Sequence, residues 1–198
     1  MPTGIALRDA RDLLFEAADR VLLHDGASAL TSRAVTTEAG VAKGVMHRHF
    51  ADFDAFLAEL VLDRATRLDG QTAALLKSAG TATIADNLTD ALIALFGPVA
   101  VAIVGLVISR DGLRARLRQA GAARIPLIAE GTAMIASYLG AERDLGRIAA
   151  AADIDTLAPS IIGAAHLLFT DRESTPPDTA TVHKMVTTIM AGSLLSID

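Results

Sequence analysis

Residues 91–109, ALIALFGPVAVAIVGLVIS, form a run without charged side chains. The run has the length of a membrane-spanning helix, which leaves two interpretations: a membrane span or a buried core segment. Gly97 and Pro98 lie in its middle, and a proline inside a helix costs about 3 kcal/mol and ends or kinks it. The charged residues Arg110 and Asp111 follow directly. We therefore expect two short core helices of a soluble, cytoplasmic protein.

The rest of the chain shows helical periodicity and lacks the alternating pattern of strands. Apolar residues recur three and four positions apart, as in Leu7, Ala10 and Leu14 of the first segment. Only 4% of residues are aromatic, so the core must be Ala, Leu, Ile and Val. These features predict an all-α fold. The absence of cysteine excludes disulfides, thiolate catalysis and sulfur-ligated zinc, and we expect no metal or cofactor.

Two short helices are predicted around Gly40. Thr31 can cap the first, which ends near Ala39, and the second covers residues 43–50. The pattern fits either two ordinary core helices or a helix-turn-helix, whose second helix enters a major groove of DNA. Met46 and Phe50 lie four positions apart and should point inward. In a helix-turn-helix the residues left for DNA would be Arg33, Lys43, Gly44, Val45, His47 and Arg48.

A resemblance to a known family favours the second interpretation. Residues 14–57 resemble the DNA-binding head of the TetR/AcrR family of transcriptional regulators. The spacing of five elements carries the resemblance: Gly26, Thr31, Ala39-Gly40-Val41, Lys43-Gly44 and His49-Phe50. Membership would imply a homodimer that represses a nearby operon from a palindromic operator and holds a small effector in an inner cavity. We accordingly expect a DNA-binding domain at 1–50 and a helical effector-binding and dimerisation domain at 51–198.

Four positions depart from the family pattern. The chain has Ala42, Val45, His47 and Phe53 where the family usually has Ser, Thr, Tyr and Lys. Each change removes or weakens a typical phosphate contact. DNA binding would then depend on the remaining basic side chains: Arg33, Lys43, His47 and Arg48. The alternative is a small-molecule-binding protein of the TetR fold with weak or lost DNA binding.

Two apolar stripes near the C terminus predict a dimer interface. A monomer of this size rarely has room to bury both, so an intermolecular four-helix bundle is the expected outcome. The residues assigned to this interface are Leu157, Ile161, Leu168, Val182, Met185, Val186, Ile189 and Met190.

Breaks in the helical pattern predict an effector cavity. Helices splay at interruptions such as Gly97-Pro98 and a kink expected at Pro126. Because no cluster of basic residues or glycine-rich loop is available for phosphates, the effector should be hydrophobic or amphipathic. His166 is its candidate polar contact, although a satisfied core histidine fits the sequence as well. The expected lining consists of Phe96, Val104, Ile128, Met134, Tyr138, Ile162, His166 and Phe169.

Catalytic motifs are missing from the sequence. It contains no GxSxG, GxGxxG, P-loop or HExxH pattern, so we do not expect an enzyme. Arg114, Arg116 and Arg118 form a basic segment, but residues two apart on a helix point in different directions. We therefore expect these arginines on a solvated face and not in a second nucleic-acid site.

Overall fold

The computed structural model describes residues 7–122, 124–171 and 176–193, with side chains from residue 10 onward. Within these ranges the chain forms helices and no strand, which confirms the predicted all-α class. The helices are α1 (Leu7–His24), α2 (Ser32–Glu38), α3 (Gly44–His49), α4 (Phe53–Thr66), α5 (Leu68–Lys77), α6 (Ile84–Leu95), α7 (Pro98–Ser109), α8 (Asp111–Gln119), α9 (Ile128–Asp144), α10 (Ile154–Thr170) and α11 (Thr179–Met190).

Side-chain caps begin several of these helices, including the predicted cap of α2 at Thr31. The Ala34 N–H donates to Thr31 Oγ1 at 3.1 Å, and the Ala55 N–H donates to Asp52 Oδ1 at 2.7 Å. Such bonds satisfy backbone donors that have no partner inside the helix. Gly26, with a φ of 80°, follows α1 in the left-handed region that favours glycine.

The sequence also suggests Asp111 and Asp155 as caps of two later helices, and these two positions were wrong by one or two residues. Arg110 occupies the N-cap position of α8, and Asp111 is the first helical residue. Asp153 caps α10 by accepting the Thr156 N–H at 3.1 Å, while Asp155 lies inside the first turn. Both segments offer acidic residues at neighbouring positions, which the sequence pattern cannot separate.

The predicted kinked helix at Pro126 was also wrong. Helix α9 begins two residues later, at Ile128, and continues to Asp144. Leu127, with a φ of 70°, makes the turn, and its N–H donates to the Glu130 carboxylate at 2.6 Å. One of the two breaks from which we predicted a cavity is therefore a loop before a helix.

The break at Gly97-Pro98 is present. Helix α6 ends at Leu95, α7 begins at Pro98, and the two axes are bent by 65°. No single helix among the described residues is long and apolar enough to cross a membrane. Helices α6 and α7 reach such a length and apolar composition only when they are counted together.

The contacts divide the chain into two units. The first contains residues up to Asp63 together with 102–125, and the second contains 64–101 and the residues from Pro126 onward. Helices α1, α2 and α3 pack together in the first unit. An aromatic cluster joins α1, the residue after α3 and α4, and its neighbouring ring centroids lie 5.0–5.9 Å apart. This cluster consists of Phe15, Phe50, Phe53 and Phe56.

The second unit packs closely around α9. A Cβ atom added at Gly131 would lie 2.8 Å from a methyl carbon of Leu95 on α6 and 3.3 Å from one of Ile162 on α10. These distances are shorter than normal carbon contacts. Gly131 therefore allows the three helices to approach one another at this level.

A polar network is buried in the second unit. Glu142 is fully buried and accepts hydrogen bonds from the Tyr138 hydroxyl at 2.6 Å and the Gly80 N–H at 3.2 Å. Its charge is paired with the Arg147 guanidinium at 3.0 Å. The same guanidinium donates to the carbonyl oxygens of Thr81 and Ala82 at 3.1 and 2.5 Å. The network thus holds the turn between α5 and α6 against the end of α9.

Candidate nucleic-acid interface

The turn between α2 and α3 is short and internally bonded. Gly40 has a φ of 65°, which a residue with a side chain rarely adopts. Its N–H donates to the Thr37 carbonyl at 3.1 Å, and the Val41 N–H donates to the Thr36 carbonyl at 3.0 Å. These bonds close the end of α2 before the chain enters α3, so the two helices form the predicted helix-turn-helix.

Helix α3 has one buried and one exposed face. Met46 and the following Phe50 are buried, as predicted. Val45 is half-buried. The remaining residues predicted to contact DNA are all exposed. They are Arg33 on α2, Lys43 at the N-cap of α3, and Gly44, His47 and Arg48 within α3. The exposed face of the helix is therefore rich in basic side chains.

No side-chain oxygen caps the described start of α3. Lys43 occupies the N-cap position without a capping hydrogen bond, and Ala42 precedes it. A capping hydroxyl or carboxylate stabilises a helix by about 1 kcal/mol. Helix α3, with six residues, therefore depends on packing for its position.

Arg11 of α1 supplies part of that packing, although sequence reasoning did not identify it. Its guanidinium lies 4.6 Å from the ring centroid of Phe50 and forms an ion pair with Glu59 of α4. It also makes a long hydrogen bond of 3.5 Å to the His49 carbonyl at the end of α3. Arg11 thus connects α1, α3 and α4. Its partners lie about 40 residues away, so no local pattern indicates them.

Two arginines contact the start of α4: Arg110, directly before α8, and Arg116 within it. For Arg116 this differs from the predicted solvated face. Arg116 pairs with Asp52, and Arg110 pairs with Asp54 at 2.9 Å. Arg110 also lies 5.7 Å from the ring centroid of Phe53. All of these residues belong to the first unit. The start of α4, which follows α3 directly, is therefore held by residues more than fifty positions later in the chain.

The other two arginines of the basic segment differ from each other. Arg114 donates to the Val107 carbonyl at the end of α7 at 3.2 Å and pairs with Asp111. Arg118 is exposed. The predicted solvated face thus describes Arg118 but not Arg114 or Arg116.

A family comparison agrees with this geometry. The sequence model of the bacterial regulatory proteins of the tetR family matches residues 14–60. Residues 14–60 thus match the helix-turn-helix region of the TetR family. The match covers α2, α3 and most of α1 and α4, so it contains the helix-turn-helix, while Arg11, Arg110 and Arg116 lie outside it. No protein with a curated function matches the chain.

Comparison with solved structures shows that nearly the whole chain has the fold of TetR-family proteins. A protein described as a TetR-family transcriptional regulator from Mesorhizobium loti has a TM-score of 0.72 and 17% identity, over 97% of this chain and 100% of that one. A second, from a Rhodococcus species, gives 0.66 and 19%, over 91% and 98%. The multidrug binding protein EbrR, complexed with imidazole, gives 0.62 and 17%, over 95% and 96%. At these identities the similarity concerns the fold.

Most of the predicted effector residues are already packed in the TetR fold of this chain. Phe96, Met134, Tyr138 and Ile162 are buried in the second unit, and Val104 is buried in the first. The remaining three are half-buried: Ile128, His166 and Phe169. The Tyr138 hydroxyl is taken up by Glu142 and by the Asn87 amide, which donates to it at 3.0 Å.

His166 keeps features of a polar ligand contact. Its Nδ1 is buried and has no hydrogen-bond partner within the described residues. Its ring lies 6.2 Å from that of Phe96, which stacks on Phe169 at 5.4 Å. Burial lowers the pKa of His166 below its ordinary value, so the imidazole stays neutral at neutral pH. A neutral imidazole with an unused nitrogen can accept or donate one hydrogen bond.

The residues predicted for the dimer interface divide into two groups. Their own chain covers Ile161, Val182, Val186 and Met190 completely, so these side chains have no surface left for a partner. Helix α11 packs on α6, and α10 packs on α9, which accounts for that burial. The other four residues are half-buried: Leu157, Leu168, Met185 and Ile189.

The sequence pattern did not indicate the most exposed apolar residue among those described in α10 and α11. Leu167 of α10 has 73% of its surface exposed. It lines an open groove of about 890 Å³ together with Ala164, Leu168 and Met185. Periodicity could not indicate this residue, because it does not show which helices cover each face. Helices α9 and α6 cover the periodic stripes of α10 and α11, so the adjacent edges of α10 and α11 stay exposed.

Proposed function

We propose that the protein is a ligand-responsive transcriptional repressor that binds palindromic operator DNA as a homodimer. One observation carries this proposal: a TetR-family helix-turn-helix presents Lys43, His47 and Arg48 on an exposed face while Met46 and Phe50 anchor the opposite one. In this scheme residues 1–50 bind DNA, and residues 51–198 bind the effector and dimerise.

The exposed basic side chains also weigh against a TetR fold that has lost DNA binding. Lys and Arg contact phosphates and guanine edges, and the half-buried Val45 can touch a thymine methyl group at the edge of the helix. The departures at Ala42 and Phe53 reduce the number of phosphate contacts but leave this face intact.

Operator binding can be tested with DNA from upstream of the protein's own gene. We expect a gel shift that weakens with salt because each neutralised phosphate releases counterions. Lys43→Ala and Arg48→Ala should each reduce the binding free energy by about 1–3 kcal/mol. Lys77→Ala removes the same charge from an exposed position of α5 and serves as the control. Equal affinities for all three variants would contradict the proposal.

The proposed dimer uses the exposed edges of α10 and α11. The exposed Leu167 lies beside Ala164, Leu168 and Met185 in one open groove, and such adjoining exposed apolar residues are typical of an interaction surface. Twofold symmetry would place two recognition helices one DNA turn apart, about 34–36 Å. Leu167→Glu should yield monomers by light scattering, whereas the control Leu145→Glu, also at an exposed leucine, should not. A dimeric Leu167→Glu variant would refute this interface.

The proposed effector is hydrophobic or amphipathic and contacts Phe96, His166 and Phe169. The stacked rings offer an apolar surface, and the unpartnered His166 nitrogen offers one hydrogen bond. EbrR, which has a similar fold, is a multidrug binding protein. A thermal-shift screen of hydrophobic compounds should find stabilising compounds that change operator affinity. His166→Ala should reduce their effect, and an unchanged response would remove His166 from the site.

A further inference from the structure

The first turn of α4 is held from one side by two arginines. Asp52 caps the helix through the Ala55 N–H and also pairs with Arg116. Asp54 pairs with Arg110. Two carboxylates and two guanidinium groups thus fix Asp52, Phe53 and Asp54, which are the cap and the first two residues of α4.

Gly112 brings α8 unusually close to this turn. A Cβ atom added there would overlap the Asp54 carboxylate. Because Gly112 lies in the first turn of α8, the Asp54 carboxylate also lies at the positive end of that helix. The absence of a side chain at position 112 is therefore part of the same contact.

Movement of this turn would be transmitted to the recognition helix. Only Phe50 and Ala51 separate the end of α3 from Asp52. Phe50 packs against Phe56 in the next turn of α4 with ring centroids 5.0 Å apart. Since α3 lacks a side-chain cap, its orientation depends on these contacts.

We propose that Arg110 and Arg116 are positioning residues for DNA recognition: by holding the first turn of α4 against α8, they fix the orientation of α3. The inference rests on the proposed operator binding. It assigns no DNA contact to either arginine. Their guanidinium groups act through Asp52, Phe53 and Asp54, and these residues act through Phe50.

Charge-matched variants at the start of α8 and within it test this role. Arg116→Gln should weaken operator binding by about threefold, as expected for a partly exposed ion pair. Arg110→Gln should weaken it by about threefold to tenfold, because Arg110 also lies over the Phe53 ring. Arg118→Gln removes the same charge from an exposed position of α8 and should change operator affinity less than about twofold. Affinity for non-operator DNA and the salt slope should not change, since no phosphate contact is lost.

Asp52→Asn separates positioning from direct DNA contact. Asparagine keeps the cap of α4 but removes the charge that pairs with Arg116. If the pair positions α3, Asp52→Asn weakens operator binding, and the double variant Asp52→Asn/Arg116→Gln is no weaker than either single one. If Arg116 binds a phosphate instead, Asp52→Asn strengthens binding, the two effects add, and Arg116→Gln lowers the salt slope. That outcome would overturn the inference.

Hydrogen exchange tests the inference without DNA. Amides of residues 44–60 should exchange faster in Arg116→Gln than in Arg118→Gln or the unchanged protein. Equal exchange in all three proteins would overturn the inference even if operator binding is observed. Failure of the unchanged protein to bind operator DNA would refute the proposed function alone, because the exchange experiment would still decide whether Arg116 holds α3.

Discussion

The two units of the molecule are stabilised in different ways. In the first, an aromatic cluster and short-range caps hold small helices, and its ion pairs are partly exposed. In the second, the fully buried carboxylate of Glu142, together with Tyr138 and Arg147, links α9 to the turn between α5 and α6. Partly exposed pairs contribute little individually, whereas breaking a buried pair is costly. The first unit should therefore tolerate loss of one ionic contact, and the second should not.

The largest expected effect is that of Arg147→Met in the second unit. The substitution leaves Glu142 buried with a charge and without its ionic partner. We expect the free energy of unfolding to fall by about 3–5 kcal/mol, measured by urea denaturation. Operator affinity of the folded protein should not change.

Two controls sharpen this result. Arg143→Met removes a charge from an exposed position of α9 and should change stability by less than about 0.5 kcal/mol. Glu142→Gln combined with Arg147→Met removes both charges and should recover part of the loss. A small effect of Arg147→Met, similar to that of Arg143→Met, would remove the contrast between the units.

The same difference explains what the sequence could predict. Caps such as Thr31, Asp52 and Thr83 act over three residues, so their signals are complete within a few positions. The exposed basic face of α3 follows from helical spacing alone. The all-α fold and the helix-turn-helix were therefore predictable. Arg11 and Arg116 were not, because their acidic partners lie 48 and 64 residues away.

In the second unit, periodicity identified buried faces but not what covers them. Val182, Val186 and Met190 form a regular stripe, which we assigned to a partner subunit, yet α6 of the same chain packs there. Tyr138 was predicted to line a cavity, but it donates to Glu142, a residue that no motif singled out. An apolar stripe in the sequence shows that one face of a helix is buried. Which helix or subunit buries that face depends on the tertiary fold.

Alkaline titration tests the network through Tyr138. Burial raises the pKa of Tyr138 above its ordinary value of 10.0, and the hydrogen bond to Glu142 adds to the shift. The unfolded chain releases this proton first, so the contribution is complete below about pH 10 and is lost above it, by about 1.4 kcal/mol for each pH unit. The chain has one Tyr and no Trp, so phenolate absorbance reports this residue alone.

The titration has a matched variant. Tyr138→Phe should reduce the slope of stability against pH above about pH 10, since the titrating group is absent. Phenolate absorbance in the unchanged protein should appear together with the loss of helical circular dichroism. Ionisation of Tyr138 in a fully folded protein would show that the hydroxyl is accessible and the network open.

The smallest expected effects come from one cap in each unit. Thr31 caps α2 through the Ala34 N–H, and Thr83 caps α6 through the Asp86 N–H at 3.0 Å. Replacing either by Ala should lower the free energy of unfolding by about 1 kcal/mol. Because α2 precedes the recognition helix, Thr31→Ala should also weaken operator binding, while Thr83→Ala should not. If both variants bound operator DNA equally well, the order of α2 would not limit recognition, and the position of α3 would depend on Arg11 and the α4 contacts alone.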